Sequence, residues 1–273
     1  MIALTVFPTR TIALDLFGIS IYWYGLLYLA AFVLGWWLLP RLQKYRDLRL
    51  TPDDALLIIV VAMAGVLLGG RLGYVAWYNP QYFLEHPGEI VRFWQGGMAS
   101  HGGFIGVAVA LYFTARHLNV SFWRLTDVVV VPIALGLALG RLGNFINQEL
   151  YGTLTTLPWG IDIPGVAGKR HPTQLYAVIK NVLIAATCYH HLRRPNTKLR
   201  PGQTTAFFLL MYSTARFLLE YLRVPDAPLV AFGPLTLTQG QCLTLPLFGF
   251  GLWLYYTARR KALVSNTIEK VPR

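Results

Sequence analysis

Hydrophobic and polar positions alternate along this chain in long blocks rather than with the short period of strands. Apolar runs lie at 19–39, 55–77, 103–115, 126–145, 174–192, 204–222 and 237–256, all but the short third one close to the roughly 20 residues that a membrane-crossing helix needs. The pattern predicts an all-α polytopic membrane protein with about seven transmembrane helices, forming one membrane-embedded domain over 1–273. Between 152 and 171 the chain is too polar and too interrupted by proline and glycine to span. A small extracytoplasmic excursion is expected there. The first run is too long for a signal peptide and lacks the basic start and small-residue cleavage site of one, so a retained first span is expected.

Composition agrees, with 55% hydrophobic and 13% charged residues and a mean hydropathy of +0.48. A soluble domain with a polar surface is a poor fit to these values. The formal net charge of +12 would suggest nucleic acid in a soluble protein. Here the cations gather in alternate loops: Arg41, Lys44, Arg46 and Arg49; Arg116 and Arg124; Arg193, Arg194, Lys198 and Arg200; Arg259, Arg260 and Lys261. By the positive-inside rule those loops are cytoplasmic, which places the N-terminus outside and the C-terminus inside. No nucleic-acid partner is expected. Arg46 and Arg194 read as loop charges whose loss should be nearly silent, and Asp127 as an N-cap or first-turn acid at the cytoplasmic start of a span. The two cysteines, Cys188 and Cys242, stand in apolar surroundings with no metal-type spacing, so neither a disulfide nor a metal site is expected.

One stretch breaks the hydrophobic logic. After the apolar run 128–139 come Gly140-Arg141-Leu142-Gly143-Asn144-Phe145-Ile146-Asn147-Gln148-Glu149-Leu150-Tyr151-Gly152. An arginine at the centre of a membrane helix costs about 2.5–3.5 kcal/mol on insertion scales, so it normally faces a bundle interior or a watery cavity. At helical spacing Arg141, Asn144, Phe145 and Gln148 share a face. Packing through Gly136, Gly140 and Gly143 explains the glycines but leaves Arg141 and Glu149 unexplained. A second charged face, Arg216, Glu220 and Arg223 at i, i+4 and i+7, falls at the same outer level, and the two faces are expected to meet. The second face could instead be an internal ion pair that settles its own charge. His101 opens the third span beside Gly102 and Gly103, which allow close backbone approach to a ligand. It is as readily a bland interfacial histidine as a base at neutral pH. Tyr24, in the cluster Tyr22-Trp23-Tyr24, reads first as an interfacial anchor. Arg71, in Gly70-Arg71-Leu72-Gly73, is at least as readily structural, since it can snorkel to the outer interface.

The motifs together resemble the prolipoprotein diacylglyceryl transferase family. They are Trp23-Tyr24-Gly25, Gly69-Gly70-Arg71, Gly96-Gly97-Met98, His101-Gly102-Gly103, the signature 140–152, His171-Pro172-Thr173-Gln174-Leu175-Tyr176, Arg216 with Glu220, Arg223-x-Pro225-Asp226, and Gln239-Gly240-Gln241. The likeness covers nearly the whole chain. Local departures from the family pattern are Gln95, Gln148 and Ala177. The resemblance implies a bacterial cytoplasmic (inner) membrane enzyme that takes the diacylglyceryl group of phosphatidylglycerol, a membrane lipid. It places that group on the lipobox cysteine thiol of prolipoproteins and releases glycerol phosphate, with no metal or cofactor. Phosphate chemistry assigns expected roles. Arg141 and Arg216 bind phosphate and stabilise the leaving group. His101 is the candidate base, and Glu149 and Glu220 orient the arginines. Asn144 and Asn147 bind glycerol or phosphate, Tyr24 lines the headgroup pocket, and Gly102, Gly103 and Gly152 belong to the substrate site. The alternative from another class is a transporter or channel for an anionic solute lined by the same arginines, but the chain shows no convincing repeat of the kind transporters carry.

Overall fold

The computed structural model describes residues 11–16, 19–78, 80–92, 96–195, 200–225, 230–232 and 235–268. Among them are helices α1 (Trp23–Leu42), α2 (Pro52–Tyr78), α3 (Pro80–Glu85), α4 (Ser100–His117), α5 (Phe122–Ile146), α6 (Thr173–Leu192), α7 (Gln203–Leu219) and α8 (Gln239–Ile268). A helix lies on each of the seven apolar runs. Three of them, over Trp23–Arg46, Pro52–Trp77 and Phe122–Ile146, are long and apolar enough to cross a membrane. Their outer faces fit that setting: Leu29, Val33 and Trp37, Val60, Leu67 and Leu68 are all exposed, as side chains facing lipid would be. Three antiparallel strand pairs complete the fold: β1 (Ile12–Leu16) with β2 (Ile19–Tyr22), β3 (Ile161–Ile163) with β4 (Val166–Arg170), and β5 (Val230–Phe232) with β6 (Leu235–Leu237). The chain divides into two compact units, residues 1–35 with 129–273, and residues 36–128.

In the 36–128 unit, α2 starts at a reciprocal cap. The Asp54 amide donates to the Thr51 hydroxyl (3.2 Å) and the Thr51 amide to the Asp54 carboxylate (2.8 Å), with Pro52 at the first helical position. The helix then packs on α4 through glycines so closely that a Cβ at Gly69 or Gly106 would collide with the Gly102 or Gly65 carbonyl oxygen. Gly102 thus has a packing reason, since a Cβ there would also lie 2.9 Å from the Gly73 Cα, whereas Gly103 meets only Val66. Arg71 is buried and structural. Its guanidinium donates to the carbonyls of Ile90 (2.8 Å), Glu89 (2.6 Å), Gly96 (2.7 Å) and Gly97 (3.2 Å). The Gly-Gly-Met motif is laid against α2 in this way, with Gly96 and Gly97 at φ +89 and +73.

Arg46 corrects its reading as a solvated loop charge, because it is 2% exposed and its Nε lies 3.2 Å from Asp127 Oδ2, itself fully buried in the second turn of α5. Losing one partner of a buried pair leaves an uncompensated charge and costs about 3–5 kcal/mol. Arg46→Met should therefore lower the thermal midpoint of the detergent-purified protein sharply, with Arg46→Met/Asp127→Asn recovering most of the loss. An unchanged midpoint in the single variant would show that the pair contributes little.

In the other unit, α7 packs on both α6 and α8. Gln174, Ala177, Asn181, Ile184, Cys188 and Leu192 form the buried stripe of α6, at the spacing of one helical face. The helix α8 begins with the same kind of cap as α2. The Gln241 amide donates to the Thr238 hydroxyl (3.1 Å) and the Thr238 amide to the Gln241 side-chain oxygen (3.0 Å).

Candidate active site

The signature segment is half helix and half turn. The helix α5 stops at Ile146, and Gln148 and Leu150 take left-handed backbone with φ 59 and 60. The expectation that Gln148 continues the face of Arg141 and Asn144 is therefore corrected: the chain has already turned away. The turn returns the carboxylate by another route. The Glu149 amide donates to the Asn144 carbonyl (3.0 Å), and the Asn144 side-chain amide donates to Glu149 Oε1 (2.7 Å). On its other side the Asn144 oxygen accepts from the Arg141 guanidinium (3.3 Å). Glu149 is thus connected to Arg141 through Asn144, which is 7% exposed, and no direct Arg141–Glu149 ion pair occurs among the described residues. Phe145 points elsewhere, into a small core with Ile161 and Ile163 of the β3–β4 hairpin, joined by Tyr151, Val166 and Leu175. That core docks the excursion.

Two other segments hold the turn. Gln174 Nε2 donates to the Glu149 carbonyl (2.7 Å) and the Thr173 hydroxyl to the Leu150 carbonyl (3.1 Å). Gly152 then runs between the backbone segments at His171 and at Leu222–Arg223. Its amide donates to the His171 carbonyl (3.0 Å), and the Thr153 amide donates to the Leu222 carbonyl (2.9 Å). A Cβ on Gly152 would come within 2.7 Å of both the His171 and Leu222 carbonyl oxygens. Backbone crowding accounts for this glycine. Asn147, by contrast, has a buried side-chain oxygen with no hydrogen-bond partner among the described residues, an acceptor that a ligand hydroxyl would satisfy.

At the end of α7, Arg216 pairs with Glu220 through a short contact, and Arg223 lies 4.0 Å from the same carboxylate oxygen. The carboxyl group is 6% exposed and Arg216 19%. Gly240 lets α8 close over this pair, since a Cβ there would lie 2.6 Å from Glu220 Oε1 and 3.1 Å from an Arg216 nitrogen. Tyr24 rests on Gly143 in the same manner, where a Cβ would meet its ring at 2.6 Å, and its hydroxyl is 3.3 Å from that of Tyr28. The two charged faces lie within electrostatic reach of each other. Arg141 is within electrostatic reach of Arg216, Arg223, Tyr24 and Tyr212.

His101 occupies the first turn of α4, in the 36–128 unit. Its side chain lies outside the described residues, as do Gln95 and Asp226. Sequence reasoning missed Lys180, whose ammonium sits 4.4 Å over the Tyr212 ring and within electrostatic reach of Arg141 and Arg216. The signal was available, as a lysine inside an apolar run is by default a functional candidate.

Membrane-length apolar helices together with a part-buried group of guanidinium forks, two of them at one carboxylate, are features of membrane proteins that handle anionic groups. The comparisons with known proteins narrow that class. Residues 11–257 match the family described as prolipoprotein diacylglyceryl transferase. Proteins named phosphatidylglycerol–prolipoprotein diacylglyceryl transferase are similar along most of the chain. That of Geobacter sulfurreducens is 41% identical over 242 residues, covering 88% of this chain and 91% of the relative. That of Polynucleobacter necessarius is 41% identical over 256 residues (92% and 96%), and that of Bordetella avium 42% identical over 258 (92% and 96%). The chain belongs to the prolipoprotein diacylglyceryl transferase family.

Proposed function

We propose that this protein transfers the diacylglyceryl group of phosphatidylglycerol to the lipobox cysteine thiol of bacterial prolipoproteins. The sulfur forms a bond to the glyceryl C3 carbon, the C–O bond to phosphate breaks, and glycerol phosphate leaves with both electrons of that bond. The observation that carries this reading is the gathering of Arg141, Arg216 and Arg223 within one compact unit, two of them on the single carboxylate of Glu220. Guanidinium forks match phosphate oxygens bidentately, and preorganised donors aimed at developing charge are the largest single term in many enzymes.

In this reading Arg141 and Arg216 clamp the phosphate, Glu220 orients Arg216 directly, and Glu149 orients Arg141 through Asn144. Tyr24 lines the headgroup site and Asn147 accepts from a glycerol hydroxyl. His101 takes the thiol proton, because the thiolate is the reactive form and a free thiol has a pKa near 8.5. All seven long helices cross the cytoplasmic membrane, with the N-terminus outside. No metal or cofactor takes part.

Incubating the purified protein with phosphatidylglycerol and a lipobox peptide tests the reading, since only the transferase makes a thioether-linked diacylglyceryl product; solute flux without that product would favour a transporter. The nucleophile arrives with the substrate, so Cys188→Ser/Cys242→Ala should lipidate peptide at close to the parent rate. A folded double variant without turnover would overturn the external-thiol mechanism. For orientation, single cysteines at the exposed positions of Lys169 and Arg194 should differ in intact cells, with an impermeant reagent labelling only position 169. Labelling at 194 would reverse the topology.

A further inference from the structure

We propose that Lys180 is a third cation of the lipid-phosphate site, one that sets affinity for the anionic headgroup while Arg141 and Arg216 act on the leaving group. The inference rests on the phosphatidylglycerol reading above and adds a residue to that site. Lys180 lies in the second turn of α6, where a lysine has an ordinary alternative, to snorkel outward along the helix to the membrane surface. It does not take that course. Its ammonium lies over the ring of Tyr212, a buried residue of α7, and close enough to both Arg141 and Arg216 for charge to be felt.

Charge bookkeeping around these side chains gives the position its meaning. Arg216 and Arg223 share Glu220, and Arg141 leans on Asn144 and, through it, Glu149. Lys180 has no carboxylate partner among the described residues. Four basic groups (Arg141, Lys180, Arg216, Arg223) against two carboxylates (Glu149, Glu220) leave an excess of two positive charges once a bound anion holds all four protonated. A phosphodiester carries one negative charge and the released phosphate monoester close to two, so the excess matches what the reaction places there. Ring and ammonium also suit each other before substrate binds, because the π face of Tyr212 holds the cation until an anion arrives. Lysine fits an affinity role rather than a steering one. It is a point charge with three rotatable donors on a flexible stem, without the fork that fixes an oxygen's direction.

An ammonium held beside two guanidinium groups works against the unliganded fold and is repaid only when an anion binds, which gives two readouts that a merely structural lysine would not produce. The full-length protein is purified in detergent as wild type, Lys180→Met, Lys180→Arg and the loop control Arg194→Gln. Transfer to a lipobox peptide is measured against phosphatidylglycerol concentration in mixed micelles. Thermal midpoints are taken alone and with phosphatidylglycerol, phosphatidylcholine or free glycerol phosphate.

In Lys180→Met the KM for phosphatidylglycerol should rise about tenfold with kcat within about threefold, the pattern of lost uniform binding. Its midpoint without lipid should rise, and its stabilisation by phosphatidylglycerol should shrink. Lys180→Arg should stay near wild type in all three. Stabilisation by glycerol phosphate that also depends on Lys180 would assign the contact to the phosphate itself; dependence seen only with the lipid would assign it to the assembled headgroup, and both support the site. An unchanged KM and an unchanged lipid shift in a folded Lys180→Met protein would overturn the proposal. Should that variant fail to fold, Lys180→Gln is read by the same two quantities and decides it. If wild type makes no thioether yet its phosphatidylglycerol shift still depends on Lys180, the transferase reading fails and the anion site stands.

Discussion

Arg141→Gln and Arg216→Gln should each lower diacylglyceryl transfer by roughly a hundredfold to a thousandfold, about 2.7–4 kcal/mol of transition-state stabilisation, the scale for losing one preorganised donor at a developing oxyanion. The warrant is that the two residues, 75 positions apart, are held in one electrostatic neighbourhood by separate devices. Asn144 and Glu149 hold the first, and Glu220 under the bare backbone of Gly240 holds the second. Lysine should rescue either position poorly, because it lacks the fork. Residues that act on one group are not additive, so the double variant should be little worse than the poorer single. Arg194 is the fitting silent control and Arg46 is not, since its burial against Asp127 makes it a stability residue. The measurement is product formation by folded, detergent-purified variants with a lipobox peptide. Near-normal turnover in either single variant would remove that arginine from the site, and strictly additive losses would assign the two to separate tasks.

What could be read in advance followed the range of the forces involved. Hydrophobic runs are local, and every predicted run carries a helix. The strand pairs and α3 went unpredicted because elements of three to six residues owe their form to what they pack on. The charged faces were legible as faces, yet the route between them was not. Helical spacing carried the face on to Gln148, while the backbone left the helix at Ile146 and used two residues with positive φ to bring Glu149 back to Asn144. Arg46 shows the limit of counting charges, because its partner Asp127 lies 81 residues away and nothing local announces it. Glycines carry reasons that local sequence does not show. Gly102 and Gly152, both expected in the substrate site, stand where a neighbouring backbone leaves no space for a Cβ. Lys180 was missed because an apolar average hides one charge, although the expense of that charge in a span is the reason to notice it.

The buried amide of Asn144 carries the second large expectation, because its two hydrogen bonds are the ones among the described residues that connect Glu149 to Arg141. It donates to the carboxylate at 2.7 Å and accepts from the guanidinium at 3.3 Å. Asn144→Leu removes both bonds and leaves the Arg141 fork unaimed. Misplacement of about 1 Å at a reacting group can lower rate roughly a hundredfold, and a loss of that size is expected with most of the fold retained. Asn144→Asp separates geometry from charge. Aspartate still accepts from Arg141 but sets one carboxylate against another, so it should be as poor as leucine. Glu149→Gln then supplies the missing donor in reverse, with the glutamine amide donating to the introduced carboxylate. The Asn144→Asp/Glu149→Gln protein should recover at least about tenfold over Asn144→Asp alone, an interaction energy of about 1.4 kcal/mol, within the range for residues in one hydrogen-bond network. Such a rescue would make Glu149 a positioning residue acting through the side chain at position 144. If the double variant is no better than Asn144→Asp while Glu149→Gln alone is already inactive, the carboxylate touches substrate itself, and the relay through Asn144 is not how Arg141 is aimed.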